Sequence, residues 1–85
     1  MPYIAEDDRD QFVHVEGALE DVTKYKKLTA GELQYIIALA IKYSQPENYQ
    51  DMNDVMGALA GAQMEFYRRT VAPYEDTKIV LNGDV

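Results

Sequence analysis
The sequence predicts a mostly α protein: one three-helix domain over residues 1–85, with a short extended C-terminal tail, assembled as an oligomer. Three observations carry that prediction. Apolar residues recur at three- and four-residue steps over most of the chain, as the core-facing stripe of a helix requires. A capping signature, Thr29-Ala30-Gly31-Glu32, marks a helix start in the middle. After Pro73 the pattern changes to a β-branched run, Thr77-Lys78-Ile79-Val80-Leu81, which reads as a strand.

In chain order, Met1 to Ala5 is apolar and Pro2 suits an extended segment, so these residues read as a short arm. Asp7, Asp8 and Asp10 then place negative charge where a helix dipole favours it, and a first helix is expected over about 8–27. Phe12, Val15, Leu19 and Val22 give its apolar stripe, with Lys24, Lys26 and Lys27 closing its last turn. Gly17 inside it marks either a close backbone approach, the favoured reading, or a tolerated defect that costs the helix about 1 kcal/mol relative to alanine.

The second helix is expected over 30–44. Thr29 and Glu32 can exchange side-chain and backbone hydrogen bonds, and Leu28 with Leu33 occupies the positions of a hydrophobic staple. Leu33, Ile36, Ile37, Ala40 and Ile41 form one wide apolar face, while Tyr35, Leu39 and Tyr43 leave little of the other side polar. Such a helix needs more than one neighbour. Pro46 then ends helical geometry at Gln45.

A third helix is expected over 52–71, capped by Asp51 and stopped ahead of Pro73. Its middle, Gly57, Ala58, Ala60, Gly61 and Ala62, is small-sided, and the glycines lower helix propensity. Tight packing within or between chains would offset that. The tail strand, 77–82, is followed by Asn82-Gly83, a hairpin turn signal. It is expected to pair with the N-terminal arm or another subunit, or to stay extended.

Composition excludes several function classes. With 8 basic against 15 acidic residues the net charge is −7, which opposes binding to polymeric DNA or RNA. There is no cysteine, so disulfides and thiolate metal sites are out, and the single histidine, His14, and single serine, Ser44, leave little for nucleophilic catalysis. Asp51-Met52-Asn53-Asp54 superficially matches a calcium loop, but Met56 and Ala62 stand where that loop needs glycine and glutamate. No cofactor, metal or catalytic residue is expected. No apolar run approaches the ~18 residues of a membrane span, and the acid-rich start is unlike an export signal, so the expected place is the cytoplasm.

The residues that stand out chemically lie between Tyr67 and Lys78. Arg68 and Arg69 can fork onto phosphate, Tyr67 and Tyr74 can stack on bases, Glu75 and Asp76 can accept from ring amines or ribose hydroxyls, and Lys78 adds a cation. The plainer reading of the arginines is a complement to a helix C-terminus. Tyrosine and arginine clusters also dominate ordinary protein interfaces.

Residues 28–85 resemble a group of small phage and bacterial proteins of about this length, long recorded as being of unknown function. The resemblance rests on Gly31-Glu32-Leu33-Gln34-Tyr35-Ile36-Ile37, on Asn48 to Leu59, and most specifically on Glu65-Phe66-Tyr67-Arg68-Arg69, Ala72-Pro73-Tyr74-Glu75-Asp76, Lys78-Ile79 and Asn82-Gly83-Asp84-Val85. That group is similar to viral anti-defence sponges, helical oligomers that sequester the cyclic nucleotide signals of CBASS-type bacterial immunity without cleaving them. The resemblance implies a homo-oligomer, a tetramer, with ligand pockets at subunit contacts. The leading expectation is therefore non-catalytic sequestration of a small nucleotide by Tyr67, Arg68, Arg69, Tyr74, Glu75, Asp76 and Lys78. The alternative is a protein interaction module, a phage inhibitor docking the same block onto a host protein.

Overall fold
The computed structural model describes residues 4–85, which form two compact units, residues 4–47 and Asn48–Val85. Among the described residues every regular element is helical and none is a strand. The expected N-terminal arm lies largely outside them.

In the first unit two 3-10 turns, Glu6–Asp8 and Asp10–Phe12, precede helix α1, Val13–Thr23. The α-helix thus starts later than the acid cluster suggested. The acids sit instead in turns tied by local bonds: Arg9 donates to the Ile4 carbonyl at 3.1 Å and Gln11 to that of Asp8 at 2.8 Å. α1 also ends early. The Thr23 hydroxyl turns back to the Leu19 carbonyl at 2.7 Å, and Lys26, expected in the last turn, pairs with Glu32 of the next helix. Where a Cβ would stand on Gly17 there is open space within 4 Å, so among the described residues no backbone approaches it.

Helix α2 spans Ala30–Ser44, as its signals predict. The Glu32 amide donates to the Thr29 hydroxyl at 3.1 Å, and the Thr29 amide donates to the Glu32 carboxylate at 2.8 Å, completing the capping box. The Lys26 ammonium and that Thr29 amide hold the Glu32 carboxyl down at about 2. Gln45 ends the helix in the left-handed region at φ 57°, a conformation consistent with the exclusion of αR geometry before Pro46.

The second unit is one continuous helical run. Helix α3, Tyr49–Phe66, is capped by Asn48, whose side-chain oxygen accepts the Asp51 amide at 2.9 Å. Asparagine, rather than the expected Asp51, is therefore the N-cap. The helix does not stop before Pro73. Residues Tyr67–Val71 form a π turn, and helix α4, Ala72–Asn82, follows without a break. The expected strand over 77–82 is thus helix, and the tail shows no extended segment before Gly83. The physical reason lies in the wide turn. Inside a regular α-helix a proline ring collides with the carbonyl four residues back, but a π turn moves that carbonyl away, and near the start of a helical segment the missing N–H is not needed. The Ala72 amide reaches the Tyr67 carbonyl, five residues back, as π geometry requires. From Tyr49 to Asn82 the run is roughly 50 Å long at ~1.5 Å per residue.

No described residue is fully buried. Leu28, Ile36, Leu39 and Ile41 in the first unit and Val55 and Val71 in the second are half-covered. Gly57 and Gly61, like Gly17, face open space. The two glycines of the small-sided middle of α3 therefore make no tight contact with the described residues of their own chain.

Candidate functional site
The π turn decides what α4 presents. In a regular helix residues seven apart lie on one face, and one residue more carries the chain about 100° further round. A π turn absorbs one extra residue, so positions eight apart across it come back into line. Tyr67 and Glu75 are such a pair, and the Tyr67 hydroxyl donates to the Glu75 carboxylate at 2.5 Å. That hydrogen bond, and after it the negative charge of Glu75 and of Asp76, pushes the Tyr67 phenol above its usual 10.

Around this pair lies an open hollow of ≈ 560 Å³ lined by Tyr67, Ala72, Glu75, Asp76, Lys78 and Ile79. The Lys78 ammonium stands 5.4 Å from the centroid of the Tyr74 ring, within cation–π range. Five of the seven residues singled out from sequence are thus gathered in or beside one hollow: Tyr67, Tyr74, Glu75, Asp76 and Lys78. The two arginines are not in its lining. Arg68 forks onto Glu65, with Nε at 3.0 Å and a terminal nitrogen at 2.9 Å from the two carboxylate oxygens. The three-residue step from Glu65 to Arg68 is a helix pairing distance and was legible in the sequence. Ala72 and Ile79 were not marked as site residues, because they become neighbours of Tyr67 only when α4 is a helix.

The charges in this lining are two carboxylates and one ammonium, so the hollow is net negative. It suits a ligand or partner surface that offers hydrogen-bond donors, a cation and an apolar group. A second hollow, ≈ 620 Å³, shares Tyr67 with the first and is lined by Gln63, Met64, Phe66, Tyr67 and Val71. Among the described residues no cluster of three or more histidine, aspartate or glutamate side chains is placed to hold a metal, and no helix is long and apolar enough to cross a membrane.

These features define a small all-helical protein whose chemistry is concentrated around one wide helical turn. The family model described as Domain of unknown function (DUF6899) matches residues 1–85, and the chain belongs to that family. No curated protein and no solved structure matches it.

Proposed function
We propose that this is a non-catalytic interaction protein that docks onto another macromolecule through the Tyr67–Ile79 face. The observation that carries this reading is the composition of the hollow. Tyr67 and Ile79 are exposed in its lining beside two acids and one lysine, and that lysine's ammonium stands over the ring of Tyr74, which is exposed as well. Exposed tyrosines flanked by charges of both signs make the anchors and polar rim of protein interfaces, whereas a net-negative hollow repels a free anion. The test is a photo-crosslinking amino acid at Tyr74 in the producing cell, with the 89%-exposed Tyr25 as the control position. One discrete adduct from the Tyr74 position, weakened by Lys78→Glu, is expected. Equal labelling from both positions, or none, refutes the reading.

A second reading, sequestration of a small nucleotide signal such as a cyclic nucleotide, keeps support from one observation. The Lys78 ammonium lies over the Tyr74 ring with Arg69 one turn back along the helix, so cations and a stacking surface recur within one stretch. A panel of cyclic di- and trinucleotides separates the two. Thermal stabilisation by one of them, with intact nucleotide released on heating, favours sequestration; no shift across the panel removes it.

A further inference from the structure
Phe12, Val15, Leu19 and Val22 recur at three-, four- and three-residue steps, Phe12 just before α1 and the other three on it. At 100° per residue Val15, Leu19 and Val22 fall within about 60° of arc, which makes one narrow stripe. A stripe of this spacing is ordinarily turned onto a core. Here its four side chains are between 38 and 58% exposed. The charged residues of α1 are all acidic: Glu16 lies about 90° from the middle of the stripe, and Glu20 and Asp21 about 130° away on opposite sides. Glu6, Asp7, Asp8 and Asp10 precede them in the two 3-10 turns. Residues 6–21 thus hold seven acids against Arg9 alone, which is −6 of the chain's net −7. None of the seven carboxylates is in an ion pair among the described residues.

We propose that the α1 stripe docks on a partner protein whose apolar surface is bordered by lysine and arginine. The helix lies along that surface with Phe12, Val15, Leu19 and Val22 as its anchors, the spacing by which amphipathic helices fill an apolar groove. The exposed apolar side chains supply the contact, and the carboxylates beside them select the basic border. Like charge turns away the other occupants. DNA, RNA and an anionic membrane surface are all repelled by these acids, and a second copy laid on the same stripe would set carboxylates against carboxylates. This surface is separate from the Tyr67–Ile79 face. Tyr25 is outside it too, beyond the end of α1 with the Lys24 ammonium 5.4 Å from its ring centroid.

The test uses the full chain and two synthetic helical peptides that share one leucine stripe, bordered by lysines in the first and by glutamates in the second. The lysine peptide is expected to slow amide exchange over residues 13–23 by about fivefold, the glutamate peptide to leave it unchanged, and added salt to reverse the slowing. Leu19→Ser is expected to abolish the effect and Met56→Ser, on α3, to keep it. Glu16→Lys combined with Glu20→Lys is expected to exchange the preference, so that the glutamate peptide protects α1; this arm leaves the apolar stripe intact. Slowing centred on α3 or α4, no slowing with either peptide, or a preference that survives the charge exchange overturns the proposal. So does α1 exchange already at the slowed rate without peptide. If that rate depends on protein concentration, a second copy holds the stripe; if it does not, the chain itself does. None of these results bears on the Tyr74 adduct, so the two surfaces stand or fall separately.

Discussion

Replacing Pro73 with alanine tests whether the wide turn and the Tyr67–Glu75 bond have one cause. If the proline ring is what forces the π turn, Pro73→Ala lets Tyr67–Val71 close into regular α-helix with no residue removed. Glu75 then lies eight residues beyond Tyr67 in an unbroken helix, rotated by about 100° from its present bearing and advanced by ~1.5 Å relative to a seven-residue partner. A 2.5 Å hydrogen bond does not survive such a rotation, since even a lengthening to 3.6 Å ends it. The readout is the Tyr67 phenol, identified by subtracting the ultraviolet titration of Tyr67→Phe. In the parent it ionises above 10 because the neutral phenol donates a hydrogen bond to the Glu75 carboxylate, and the charges of Glu75 and then Asp76 oppose the phenolate. In Pro73→Ala it is expected to fall back towards 10. Deleting Thr70 in the Pro73→Ala background is the matched control: it takes out the extra residue where the proline no longer demands a wide turn, brings Glu75 to seven residues from Tyr67 in regular helix, and is expected to restore the raised titration. A Pro73→Ala protein whose Tyr67 titration is unmoved would show that the π turn does not depend on the proline, and the register argument fails.

Two further outcomes follow from the start of α2. Thr29→Ala removes the hydroxyl that accepts the Glu32 amide and is expected to destabilise the helix by about 1 kcal/mol, read as a roughly fivefold loss of amide-exchange protection over Gly31–Leu33; an unchanged rate would mean the box is not stabilising. The second outcome is acid sensitivity. The folded-state pKa of Glu32 is lowered from 4.5 to about 2, so its contribution is fully present above 4.5 and is lost as pH falls towards 2. Exchange protection at the start of α2 should drop across that window in the parent and stay flat in Glu32→Gln, and a parallel fall in both would refute the assignment.

Where the sequence could be read directly, the signals were bonds between residues close in the chain. The bounds of α2 follow from Thr29, Glu32 and the restriction Pro46 places on Gln45, each acting within about one turn. At α3 the same kind of signal was ambiguous, because Asn48 and Asp51 are both good N-caps. Only the structure shows that Asn48 takes the role and Asp51 supplies the amide. Arg68 was read as a ligand for phosphate although Glu65, three residues before it, already offered it a carboxylate.

The sequence by itself determined that the chain is mostly helical, that α2 runs from Ala30 to Ser44, and that the unusual chemistry lies between Tyr67 and Lys78. The three-dimensional structure decided how that chemistry is arranged. Pro73 and the β-branched run after it read locally as a stop and a strand, because short-range preferences register the missing N–H and the branched side chains. They do not register that a wider turn can move the obstructing carbonyl aside and let the helix pass. Once it passes, Glu75, Asp76, Lys78 and Ile79 are wound onto the side of Tyr67, and residues set out along an expected turn and tail become the lining of a single hollow.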